Sequence, residues 1–186
     1  MGEIAVRAVT AVEAATRLDD IGALYMRVFS EPPNIPDTPA NHRATMIRLL
    51  ADASVAIVLA DDSDDGLVGF AYGYGLTSNR WWQGLREPVT PEFTEEWEGR
   101  TFAVIDVGVA PDRRRQGIGR SLMDALLAGL PYERVTLGMI PALGETAGAF
   151  YTATGWTLVG RQDSPPDAGW TSPEFDVYVR ELGTIR

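Results

Sequence analysis

The chain has 186 residues, 45% of them apolar, and a formal net charge of −10, which supports one domain with its own core and argues against a nucleic-acid partner. It contains no cysteine and no lysine, all sixteen basic residues being arginines, so thiolate nucleophiles, disulfides, Schiff bases and a P-loop lysine are excluded. No run approaches the ~20 apolar residues of a membrane span, and charges interrupt the opening MGEIAVRAVT, so a soluble, cytoplasmic protein without membrane contact is expected.

Along the chain, Ile4, Val6 and Ala8 alternate with polar residues and predict a short strand. Leu18, Ile21, Leu24, Tyr25 and Val28 recur at helical spacing and predict one helix from Thr16 to Phe29. The proline-rich EPPNIPDTP cannot continue it. A second helix is predicted from Ala40 to Leu50. It carries His42, the only histidine, read as a surface imidazole; with so few nitrogen ligands no metal site is expected.

SVAIVLA and LVGFAYGYGL predict strands joined by DDSDDG, whose spacing fits a solvated hairpin turn and not a calcium loop. Asn79 to Arg100 is a long irregular insertion. TFAVIDVGV, Thr101 to Val109, predicts a strand apolar enough for burial on both faces. A helix follows from Gly117 to about Leu130, with Ile118, Leu122, Leu126 and Leu130 in one stripe. RVTLGMI is a strand, Glu145 to Thr154 a short helix closed by Gly155, and WTLVGR and FDVYVREL an antiparallel pair. Together these predict one α/β domain over residues 1–186, with a mixed sheet and a strand–helix–strand unit across 101–140.

Chemistry concentrates in VAPDRRRQGIGRSLM, residues 109–123. The free N–H groups and dipole of a helix start form an anion site, and Gly117 and Gly119 let a phosphate oxygen approach the backbone. Arg114 and Arg115 add charge and bidentate donors, while Arg113 is assigned to solvent or a ribose phosphate. Neither the Walker pattern nor GxGxxG is present.

VxVxPxxRxxGxG before an amphipathic helix resembles the acetyl-CoA signature of the GNAT superfamily of N-acetyltransferases. Arg114-Arg115-Gln116-Gly117-Ile118-Gly119 matches its (R/Q)xxGx(G/A) element, and AFYTATGW resembles its AxFYxxxG(F/W) element, with Tyr151 at the tyrosine position. The resemblance implies acetyl-CoA as co-substrate. Its pyrophosphate would be cradled by Arg114 through Gly119 with Arg120, and its pantetheine paired with the backbone of Val107, Gly108 and Val109. It also implies a mixed, mostly antiparallel sheet, splayed at that site and flanked by helices, and acetyl transfer to an amine by direct attack in a ternary complex.

Tyr151 is then the natural proton donor to the departing thiolate. The base is open. Many family members carry a glutamate where this chain has Ala103 or Ile105; Asp106 lies beside them, although strand alternation points it to the other face, and Gly144 stands where an asparagine is often found. Within the insertion, Trp81 and Trp82 with neighbouring glutamates suit an organic cation, while packing and a subunit contact are the other readings of that segment. The acceptor is open among aminoglycosides, polyamines, amino acids, arylalkylamines and protein N-termini. The empty base positions also leave open a non-catalytic acyl-CoA-binding sensor. Dimers are common in the family, so a homodimer is compatible.

Overall fold

The computed structural model describes residues 2–32, 34, 37–164 and 172–183. Its strands are β1 (Ile4–Val9), β2 (Ala56–Asp62), β3 (Gly66–Gly75), β4 (Thr101–Val109), β5 (Arg134–Met139), β6 (Thr157–Asp163) and β7 (Glu174–Glu181). Its helices are α1 (Ala11–Thr16), α2 (Leu18–Phe29), α3 (Pro39–Leu50), α4 (Pro91–Thr94), α5 (Ile118–Leu127) and α6 (Gly144–Ala153). Hydrogen bonding orders the strands β1-β2-β3-β4-β5-β7-β6, with β4 and β5 parallel and β1–β2, β2–β3, β5–β7 and β6–β7 antiparallel. This is the mixed sheet that the patterning predicts, mostly antiparallel and flanked by helices as the resemblance implies. The chain divides into two compact units, Met1–Tyr74 with Ile105–Leu130, and Gly75–Val104 with Pro131–Arg186.

In the first unit, α5 lies on β1 and β2 and buries Ile118, Leu122, Met123, Leu126 and Leu127. A Cβ at Gly69 would stand 2.9 Å from Leu122 Cδ1, so the helix rests directly on the strand backbone. The opposite face carries α2, whose buried stripe is Ile21, Leu24, Tyr25 and Val28. Each such side chain contributes about 1.5–3 kcal/mol when removed from water. The helix predicted over Thr16–Phe29 is α2, and a separate short helix, α1, precedes it, because Arg17 leaves helical geometry at φ −114°, ψ 15°. Thr10 caps α1 by accepting the Glu13 N–H, and Arg17 is held by two hydrogen bonds, 2.8 and 2.9 Å, to Asp61 of β2.

In the second unit, β5 lies between the start of β4 and β7, around Phe102, Ala103, Val135, Leu137 and Val177. The β4–β5 register runs from Thr101↔Arg134 to Val104↔Leu137 and ends there. Burial on both faces holds for Thr101–Val104; beyond them Gly108 is buried, while Ile105, Asp106, Val107 and Val109 are half-buried.

The insertion is folded onto this unit. Gly84 and Arg86 exchange backbone hydrogen bonds with Asp163 and Arg161, covering β6, which otherwise ends the sheet.

Candidate functional site

Between β4 and α5 the chain makes a single turn at Pro111–Arg113 and then passes through left-handed backbone twice, at Arg115 (φ 61°) and Gly117 (φ 82°). A left-handed arginine is unusual and costs on the order of 1 kcal/mol. The first bond of α5 runs from the Ser121 N–H to the Gly117 carbonyl at 3.0 Å. The N–H groups of Ile118, Gly119 and Arg120 therefore lie outside the helix's own bonding. A Cβ at Gly117 would meet nothing within 4 Å, and one at Gly119 would meet only Val109 Cγ2 at 3.7 Å, so the approach is open.

The arginines divide by partner. Arg113, only 12% exposed in its side chain, is paired with Asp65 and, at 3.3 Å, with Asp62 of the β2–β3 turn. It closes the DDSDDG hairpin, so the solvent or ribose-phosphate assignment is corrected. Asp62 also takes the N–H groups of Asp64 and Asp65, which folds the turn around one buried carboxylate while Ser63, Asp64, Asp65 and Gly66 stay exposed, as a solvated hairpin turn does. Arg114 reaches the Val28 carbonyl at 3.2 Å and stands 3.8 Å from Glu31, and Arg120 is 3.7 Å from Asp124. Arg115 is exposed and, among the described residues, makes no ion pair. A helix start with one uncommitted guanidinium beside it favours an anion.

Val107, Gly108 and Val109 occupy the part of β4 beyond its β5 register. A Cβ at Gly108 would fall 2.5 Å from Phe70 Cζ, so only glycine lets that ring lie against the strand. On the same face as Gly108, two residues earlier, stands Asp106. Its Oδ2 accepts a 2.5 Å hydrogen bond from the Tyr72 hydroxyl of β3. Tyr72 stacks on Phe70 at 5.6 Å, and Tyr25 of α2 lies 6.5 Å from Phe70 and 3.9 Å, face to face, from His42 of α3.

Burial pushes the Asp106 carboxyl up to about 7, against the lowering effect of the Tyr72 hydrogen bond. Burial, and then the Asp106 charge, push the Tyr25 and Tyr72 hydroxyls up. His42 is 5% exposed, not a surface residue, and burial pulls its imidazole down. Sequence patterning does not single out Tyr72 or Tyr25 for the site, whereas His42 has a place lining the acceptor cleft as its second reading; the usable signal for Tyr72 is FAY in β3, which places Phe70 and Tyr72 on one face.

In the second unit, Tyr151 on α6 packs against Trp156 (6.0 Å) and Tyr178 (5.4 Å), and makes no hydrogen bond through its hydroxyl among the described residues. Burial, then the neighbouring Tyr178, push that hydroxyl up, so it holds its proton at neutral pH. The Trp81 indole N–H donates to Thr136 Oγ1 at 3.2 Å. Trp82 is 4% exposed and donates to Glu96 at 2.7 Å, while the Arg134 guanidinium lies 4.9 Å over its ring. Both tryptophans thus tie the insertion to its own unit. Among the described residues no helix is long and apolar enough to cross a membrane, and no group of His, Asp and Glu side chains is placed to hold a metal.

A model described as the acetyltransferase (GNAT) family matches residues 18–156. Among solved structures, an acetyltransferase from Thermus thermophilus is similar at 17% identity and TM-score 0.64, covering 98% of this chain and 100% of that one. The ribosomal-protein-S18-alanine N-acetyltransferase of Escherichia coli is similar at 13% and 0.65, with 99% and 97% covered. A phosphinothricin acetyltransferase of Sinorhizobium meliloti, solved in complex with AcCoA, is similar at 16% and 0.62, with 97% and 89% covered. At these identities the likeness shows the fold. No curated protein matches by sequence.

Proposed function

The chain belongs to the GNAT family of acetyltransferases, and we propose on that premise that it moves an acetyl group from acetyl-CoA to the nitrogen of a small cationic or aromatic amine within one ternary complex. The observation that carries this reading is the open start of α5. Left-handed Arg115 and Gly117, three N–H groups outside the helix bonding and one uncommitted guanidinium form a donor set suited to a pyrophosphate.

Acetyl-CoA, when bound, supplies the acyl group as a thioester. On this reading Arg115, Gln116 and the N–H groups of Ile118, Gly119 and Arg120 hold the pyrophosphate, with Arg114 adding charge at its edge. The backbone of Val107–Val109 receives the pantetheine as an added strand. Asp106 takes a proton from the ammonium, so that the nitrogen attacks with a free lone pair. As the N–C bond forms and the C–S bond breaks, Tyr151 gives its hydroxyl proton to sulfur and recovers one from the acylated nitrogen. A lone carboxylate beside the rings of Tyr25, Phe70 and Tyr72 supports an amine on an apolar or aromatic frame.

The test is thiol release from acetyl-CoA, measured with and without a panel of primary amines. Amine-dependent release is expected. Tight acetyl-CoA binding with no release would leave an acyl-CoA-binding module, and failure to bind acetyl-CoA would sink the reading.

A further inference from the structure

Resting on the acetyltransferase reading above, we infer that Tyr72 is a positioning residue for proton removal from the acceptor. Its hydroxyl occupies one oxygen of Asp106 and leaves the other as the acceptor of the ammonium proton. The contact is 2.5 Å, from Tyr72 Oη to Asp106 Oδ2. Tyr72 is buried and its ring is stacked on the fully buried Phe70, whose own place against β4 depends on Gly108 having no Cβ. The hydroxyl therefore has little freedom to turn away from the carboxylate.

The groups that face Asp106 are few. Tyr72 comes from β3 and Tyr25 from α2, with His42 of α3 stacked behind Tyr25 and Asp37 beside both. Among the described residues no arginine pairs with Asp106. Its negative form is thus supported by one hydrogen bond, and the missing positive charge is what an ammonium brings. In the step itself an N–H bond of the ammonium breaks and an O–H bond forms on Asp106. The Tyr72 hydrogen bond persists and fixes which oxygen receives the proton. Burial holds Asp106 close to neutrality in its proton affinity, the range in which a base works best at physiological pH.

The experiment is Tyr72→Phe, which keeps the ring and removes only the donor. The first readout needs no substrate: the Asp106 carboxyl carbon is titrated by NMR in the purified protein, its signal assigned with Asp106→Asn. Loss of a hydrogen bond to the charged form is expected to raise the midpoint by about one pH unit or more. The second readout is the pH profile of kcat/KM with an accepted amine. Its acid limb is expected to move upward by the same amount, with activity recovering on the alkaline side.

An unmoved NMR midpoint in a folded Tyr72→Phe protein overturns the inference. A moved midpoint with an unmoved acid limb overturns the part that makes Asp106 the proton acceptor. If the wild type acetylates no amine, the acetyltransferase reading fails on its own account, while the titration still decides whether Tyr72 holds Asp106. Should Tyr72→Phe not fold, uniform 3-fluorotyrosine supplies a stronger donor of nearly the same volume. The Asp106 midpoint should then fall, and no change would count against the inference.

Discussion

The Arg134 guanidinium and the Glu96 carboxylate form an ion pair at 2.9 Å with 5% and 0% of their side chains exposed. Glu96 also accepts from the Trp82 indole and the Thr101 hydroxyl, and Arg134 donates to Thr101 and to the Phe93 carbonyl. One buried pair thus ties the insertion to β4 and β5. Removing one partner leaves the other charge buried without compensation, which costs about 3–5 kcal/mol. Glu96→Ala is expected to lower the unfolding free energy by about that amount, read from urea denaturation followed by tryptophan fluorescence. Glu96→Leu with Arg134→Met should recover much of the loss; no recovery would mean that the polar contacts, not the uncompensated charge, dominate.

The two neighbouring arginines of the anion segment should behave oppositely. Arg115→Ala removes the exposed, unpaired guanidinium and also relieves little strain, since alanine is no easier at φ 61°. It is expected to weaken acetyl-CoA about ten-fold or more, the worth of one charge-assisted hydrogen bond, and to leave the melting temperature nearly unchanged. Arg113→Ala opens the Asp62–Asp65 turn and should lower stability by about 1–3 kcal/mol, with a smaller effect on affinity. Calorimetric titration and thermal melts of both variants decide between these assignments.

Tyr151→Phe tests the proton donor. The ring contacts with Trp156 and Tyr178 survive the change, so folding should be preserved. Turnover is expected to drop ten-fold or more, within the ~10²–10⁴ attributed to general acid catalysis, with little change in acetyl-CoA affinity. An unchanged kcat would remove Tyr151 from the chemistry.

What was legible beforehand depended on range. The strand from Thr101 to Val109, the turn after it and the glycine that opens α5 are local signals of periodicity and backbone freedom and lie where the sequence puts them, while α5 stops at Leu127, short of the expected Leu130. The partners of the charged residues were not legible. Arg113 meets Asp62 and Asp65 across about fifty residues, and Asp106 meets Tyr72 across thirty-four, through a pairing of strands that single-sequence patterns do not specify. For the WW pair the sequence leaves a cation pocket, packing and a subunit contact open, because aromatic and acidic neighbours suit each of them. Only the fold shows Glu96 and Arg134 closing over Trp82. The break at Arg17 likewise depends on Asp61, forty-four residues away.

The Asp106 carboxyl makes stability depend on pH in a direction that can be worked out. Burial raises it from the ordinary 3.8 to about 7 in the folded chain. Between those values the folded state binds the extra proton, so the slope of unfolding free energy against pH is negative. This contribution is fully present below about pH 4 and is lost as pH rises through about 7. His42 acts oppositely, since burial pulls it below its ordinary 6.5 and its neutral form is favoured in the fold. The difference between wild type and Asp106→Asn, measured by urea denaturation from pH 5 to 8.5, cancels the His42 effect. Wild type is expected to lose stability relative to the variant across that range and to level off at the alkaline end. A flat difference would show that the Asp106 carboxylate is accommodated at little cost, and would remove the physical reason for a base poised near neutrality.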